Sequence, residues 1–183
     1  IVAFKITNFH TGKTDRIEYP FLQKRRDVNR PGEAAWFIGC GHAFRREIIA
    51  DVGLYHDFAP YGAEELDYAF RALDRGWTIL YEPGIEVLHK KSLKHRIVDP
   101  VQWGSLSFKQ RMKVALLNLP APMCATYFLA RAIRYTRGFR HPSVIWRAMR
   151  ALWAERAYIR ANRKCIQFAT VKRLIRLRGP VFF

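Results

Sequence analysis

The sequence predicts an α/β fold for its first half and a basic, wholly helical extension for its second. Three observations point there. Before residue 90, short apolar runs rich in Ile, Val and aromatic residues surround one strongly periodic helix, the pattern of an α/β layer. Beyond His95, helix-period patterns follow one another with no strand between them. The charge changes at the same place: residues 1–89 carry 11 Lys+Arg against 13 Asp+Glu, residues 90–183 carry 21 against 2, and the whole 183-residue chain is +17. Such a chain is long enough to bury a core, and it divides into segments 1–95 and 96–183.

In order along the chain, residues 2–7 (Val-Ala-Phe-Lys-Ile-Thr) read as a strand, 11–14 as a turn and 16–20 as a return strand. Residues 23–33 are polar, carry Pro31-Gly32 and read as a loop. Residues 35–38 (Ala-Trp-Phe-Ile) are strand-like and run into Gly39-Cys40-Gly41. A short helix over 45–51 closes at Gly53. Residues 63–75 form the clearest helix, with Leu66, Ala69, Phe70 and Leu73 on one stripe and Gly76 as a left-handed stop. Residues 77–81 and 85–88 read as two strands broken by Pro83-Gly84. Helices are expected over 108–119, 123–136, 144–161 and 166–178. Cys40, Cys124 and Cys165 are odd in number and widely spaced, so they read as reduced thiols and not as a disulfide framework or zinc site.

The chemistry is concentrated between Trp36 and His89. The run reads Trp-Phe-Ile-Gly-Cys-Gly-His-Ala-Phe-Arg-Arg-Glu, then Asp51-Val-Gly-Leu-Tyr55, then Tyr61-Gly-Ala-Glu-Glu-Leu-Asp-Tyr-Ala-Phe-Arg71, then Gly76-Trp77, Tyr81-Glu-Pro83 and Val87-Leu-His89. Glu64, Glu65 and Asp67 open the periodic helix. Relative to Glu64, Glu65 falls about 100° round the wheel, at the edge of the apolar stripe, where a carboxylate can face a cleft. Asp67 and Arg71 fall on the polar face as an i, i+4 pair. Acidic residues also favour helix N-termini through the dipole, which alone would account for three carboxylates.

This order of pieces resembles the second half of the catalytic domain of family-2 inverting glycosyltransferases, of the rhamnosyltransferase-like, cell-surface polysaccharide type. The resemblance implies a partial GT-A (Rossmann-like) nucleotide-sugar transferase domain ahead of the α-helical basic tail, and a chain that is the carboxy-terminal, acceptor-side part of a longer polypeptide, inactive by itself. It implies a single displacement at the anomeric carbon, with an acceptor hydroxyl attacking as a nucleoside diphosphate leaves. The base is expected at Glu65, in a catalytic cluster with Glu64 and Asp67. Gly39, Gly41 and His42 are expected to border the sugars, and Arg71 to contact substrate or to pair with Asp67. Trp103, after Asp99-Pro100, is the candidate for stacking on an acceptor. His89 is expected to ligate a divalent cation (Mn or Mg) or to contact the diphosphate. The family's Asp-x-Asp ligands do not occur in these residues, so the ion is expected to be held mostly by the donor-side half.

A cationic second half looks for a polyanion. Between Lys113 and Arg131 lie 17 uncharged residues. A spanning helix needs about 20 apolar ones, and Pro120 and Pro122 interrupt the run, so two helices meeting at a bend are expected. Arg and Lys beside Leu, Ile, Trp and Tyr is the composition of helices lying on an anionic membrane; packing on the first half would expose the same basic face. The expected partners are thus a nucleotide-sugar donor, a saccharide or lipid-linked acceptor and an anionic membrane surface. The expected place is cytoplasmic, peripheral at the inner face of the cytoplasmic membrane. A nucleic-acid-binding module would suit the charge, but no RNP, KH, zinc-finger or helix-turn-helix pattern is present. A non-catalytic glycosyltransferase remnant is the third reading.

Overall fold

The computed structural model describes residues 1–21, 27–58, 62–91, 99–139, 141 and 143–179. Tyr61 itself, and part of the loop expected at 23–33, lie outside the described residues.

The fold is mixed α/β: a four-stranded sheet and seven helices among the described residues. β1 (Val2–Asn8) pairs antiparallel with β3 (His42–Ala43) on one side and parallel with β4 (Leu80–His89) on the other, while β2 (Gly32–Glu33) pairs antiparallel with β4, for an order β2-β4-β1-β3. A parallel pair needs a crossover; α1 (Arg46–Val52) and α2 (Glu64–Asp74) lie within it.

Several expected strands take other forms. Residues 16–20 hold a 3-10 turn, Arg16–Glu18, instead of a return strand. Residues 35–38 are irregular; the backbone meets the sheet just before, where the Ala34 amide donates to the Ile79 carbonyl at 2.8 Å. The two strands expected around Pro83-Gly84 are one. β1 runs straight through, with Phe4 opposite Glu82 and Lys5 opposite Glu86, so Pro83, Gly84 and Ile85 are surplus residues that bulge out. A bulge is where an internal strand tolerates proline, because no ladder donor is needed there.

Gly53 (φ 86°) and Gly76 (φ 86°) close α1 and α2 in conformations other residues adopt at a cost. α2 buries the expected Leu66, Ala69, Phe70 and Leu73, and also Asp67, Tyr68 and Ala72. The expectation that Asp67 lies on a solvated face fails because α3 (Pro100–Asn118) covers that side of α2, with Asn118 donating to Asp67 at 2.7 Å.

α3 starts eight residues before its expected position. Asp99 accepts from the Val101 amide at 2.9 Å and Pro100 occupies the first turn, a capped start. α4 (Ala121–Phe139) follows after Leu119-Pro120, so the two helices expected at the proline bend are present, and no helix among the described residues is long and apolar enough to cross a membrane. The helix expected over 144–161 is two, α5 (Ser143–Ala154) and α6 (Arg156–Asn162), split at Glu155, whose carboxylate is drawn to Lys109 and Lys113 on α3. α7 (Phe168–Arg176) returns to the sheet layer: Arg173 pairs with Glu33 at 2.6 Å, and Thr170 donates to Asp74 at 2.7 Å. One buried apolar cluster runs from Ala3 and Tyr81 through Phe70 to Phe108 and Leu174.

Candidate active site

Glu64 and Glu65 open α2 after Ala63, which holds a left-handed backbone (φ 70°, ψ 7°) that a non-glycine residue rarely adopts. The two adjacent carboxylates lie about 100° apart round the helix and go different ways. Glu64 folds back, and its Oε2 accepts from the Gly62 amide at 2.6 Å. Glu65 faces the Gly39 backbone and lines a pocket of about 370 Å³ together with Trp36, Ala63 and Arg111. Burial, and then the charge of Glu64, push the Glu65 pKa above the ordinary carboxylate range, against hydrogen bonds from its own and the Gly39 backbone and the charge of Arg111. Gly39 makes room for that approach: a Cβ there would lie 2.1 Å from Glu65 Oε1, so the carboxylate would have to shift. Gly41 serves packing, since its Cβ would lie 2.2 Å from Ile6 Cδ1 in the core.

Other expected site residues are committed to structure. Asp67 is fully buried. Its carboxylate accepts from Arg71 Nε at 3.0 Å and from Asn118, and His56 Nδ1 stands 3.0 Å away, at ion-pair distance but off hydrogen-bond alignment. Burial alone would raise its pKa; His56, Arg71 and Asn118 together hold it below the ordinary value. Arg71 also donates from Nη1 to the Val52 carbonyl at 2.8 Å and from Nη2 to the Leu54 carbonyl at 3.0 Å. The pair therefore anchors the start of α2 to the end of α1 and leaves neither group pointing into the pocket. His42 is half-buried between Phe37 and Phe44, with Nδ1 3.2 Å from the Ile38 carbonyl and Nε2 3.5 Å from the Tyr55 hydroxyl. Burial lowers its pKa, against the pull of the Ile38 and Gly39 backbone, and so favours the uncharged ring. Trp103 lies exposed in the first turn of α3 and is not on the pocket wall.

His89 ends β4, where Glu18 and Cys40 join it; one ligand atom from each of the three lies within 4.8 Å of the others. His89 Nδ1 bonds Glu18 Oε1, and Cys40 Sγ stands 3.7 Å from the same nitrogen. The carboxylate and imidazole suit a Mn²⁺-type ion. The thiol suits Mn²⁺ or Mg²⁺ poorly, and burial together with Glu18 pushes its pKa up. Glu18 also pairs with Lys91 at 3.0 Å, so its charge is balanced within the protein. Glu18 and His89 could each offer a cation one ligand atom, with Cys40 beside them.

Sequence reading missed Glu18, Cys40 and the four arginines, Arg16, Arg111, Arg131 and Arg134, that line the Glu65 pocket. Glu18 and Cys40 meet His89 only through strand pairing and left no spacing signal. Arg131 did leave one: it lies in the Tyr127–Arg131–Tyr135 stripe of α4, an i, i+4, i+8 face that is otherwise aromatic and buried.

Comparison with protein-family models, with curated proteins and with solved structures gave no match.

Proposed function

We propose that the chain is the acceptor-side part of an inverting, GT-A-type glycosyltransferase, with Glu65 as general base. The observation that carries this reading is Glu65 itself: a carboxylate on a rigid helix start, turned into a pocket, with a raised pKa and a glycine cleared from its path. A general base works best when its pKa approaches the working pH. The acceptor hydroxyl sits in the pocket within hydrogen-bond reach of Glu65. As its oxygen bonds to the anomeric carbon, the bond from that carbon to the nucleoside diphosphate breaks and the proton passes to Glu65. A single displacement of this kind inverts the anomeric centre. Glu64 is a loop cap and a source of negative potential in this reading, and Asp67 and Arg71 are positioning residues. Glu18 and His89 would hold a divalent cation, which when bound supplies positive charge to the leaving diphosphate.

The membrane reading draws on α5. Val144, Ala148 and Leu152 are buried, while Trp146, Met149 and Trp153 are exposed on the other side, next to Arg150. Indole rings beside guanidinium groups are the chemistry of an anionic lipid surface.

The decisive assay compares wild type with Glu65→Gln in a polypeptide that also carries the donor-binding half. Gln keeps the shape and cannot take the proton. Transfer is expected to fall by at least about 10²-fold while donor affinity is retained; near wild-type turnover overturns the assignment.

A further inference from the structure

The pocket beside Glu65 carries far more positive charge than its own carboxylate can balance. Arg16, Arg111, Arg131 and Arg134 line it, against Glu65 alone. Arg131 is the unusual member. It is 6 % exposed, its Nε has no hydrogen-bond partner, and its guanidinium lies over the Tyr127 ring at 5.0 Å. No carboxylate lies at ion-pair distance from Arg111, Arg131 or Arg134 among the described residues. Burial, and then the like charges of Arg111 and Arg134, strain the Arg131 charge further, with the Tyr127 and Tyr135 hydroxyl groups giving some back.

A buried, unpaired guanidinium is expensive. Elsewhere the same helices neutralise their buried cations: Lys113, 3 % exposed, pairs with Glu155 at 2.6 Å and bonds the Asp57 carbonyl. Arg131 is left without such a partner where it faces a pocket. Converging guanidinium groups match phosphate oxygens in charge and in fork geometry. The apolar remainder of the wall, Trp36 with Tyr19 and Phe21, offers a face for a sugar ring or an isoprenoid.

We infer that this pocket takes a ligand bearing a phosphate ester or diphosphate, gripped by Arg131 with Arg111 and Arg134. The inference rests on the proposed role of Glu65 for one step only: with Glu65 as base, the ligand is the acceptor, and its reacting hydroxyl lies roughly one sugar unit from its phosphate, the span a pocket of this size admits.

Isothermal titration on the full chain tests this with four soluble probes: inorganic pyrophosphate, glucose 1-phosphate, UDP and methyl glucoside. Pyrophosphate and glucose 1-phosphate are expected to bind, and methyl glucoside at least about tenfold more weakly. Arg134→Gln, at an exposed position, and Arg111→Gln are each expected to weaken both phosphates by about three- to tenfold, and Arg131→Gln by more. Should Arg131→Gln fail to fold, the other two decide. Glu65→Gln is expected to tighten pyrophosphate, because it removes the opposing charge. Phosphatidylcholine vesicles doped with a polyprenyl phosphate form a further arm: arginine-dependent binding there, beyond that of plain vesicles, assigns the phosphate to a lipid carrier, and binding of the soluble probes alone assigns it to a free glycosyl phosphate. The inference is overturned if the arginine variants leave phosphate affinity unchanged, if methyl glucoside binds as tightly as glucose 1-phosphate, or if UDP binds and glucose 1-phosphate does not. Arginine-dependent phosphate binding with an active Glu65→Gln enzyme would sink the base and keep the phosphate site; an inactive Glu65→Gln with no phosphate binding would do the reverse.

Discussion

Glu65 is held in a place that disfavours its charge, and that has a consequence for stability. Its folded pKa is raised, so the protonated form is the one the fold prefers. The stability gained from that preference is fully present below the unfolded value, about 4.3, and is lost as pH rises through the folded pKa. Gln cannot ionise, and its carbonyl can still accept from the Gly39 backbone. Glu65→Gln is therefore expected to match wild type near the unfolded pKa and to become the more stable protein as pH rises, read as the difference in Tm across a pH series. A gap of constant size, or one favouring wild type at neutral pH, would contradict the burial of Glu65. Asp67 has the opposite sign: its lowered pKa adds stability above the unfolded value, lost as pH falls through the folded one.

The N-terminal turn of α2 is the element on which the site depends. Asp67 joins that turn to α1 through Arg71 and to α3 through Asn118, so removing it leaves buried donors and a cation unpaired. Asp67→Ala is expected to cost about 3–5 kcal/mol in denaturant unfolding; a loss under about 1 kcal/mol would show the anchor to be dispensable. The sequence already showed this pair at i, i+4. It also showed the apolar stripe of α2, the stop at Gly76 and the bend at Pro120, because each is written within one or two helical turns. It could not show that α3 lies over Asp67, that β1 carries β4 past Pro83, or that Arg131 and Glu65 share a pocket. Those depend on contacts between distant segments, for which a single sequence has no period. Glu155 is an intermediate case: one acid in a basic stretch was visible, but that it splits a helix by reaching back to Lys109 and Lys113 was not.

At the scale of the whole molecule, the near-neutral and cationic halves are stitched together by polar contacts that cross between them. Arg173 meets Glu33, Thr170 meets Asp74, and Asn118 meets Asp67. The second half thus packs on the first and still presents exposed Trp146, Trp153 and Phe168 amid its arginines. The chain is expected to pellet with phosphatidylglycerol vesicles at low salt and to be released at high salt, because exposed charges are screened over about 10 Å at 0.1 M. Trp146→Ser with Trp153→Ser should weaken that binding while leaving Tm nearly unchanged. Failure to bind at low salt would remove the membrane surface as a partner. Contacts between distant segments also tie the fates of particular positions together. Any side chain at position 39 would meet Glu65 Oε1, and an aspartate at 65 would withdraw that oxygen by one methylene. The two positions are thus expected to be energetically coupled: alanine at 39 is admissible with aspartate at 65 and penalised with glutamate. In a double-mutant cycle the pair would therefore show favourable epistasis, each change repairing part of what the other spoils.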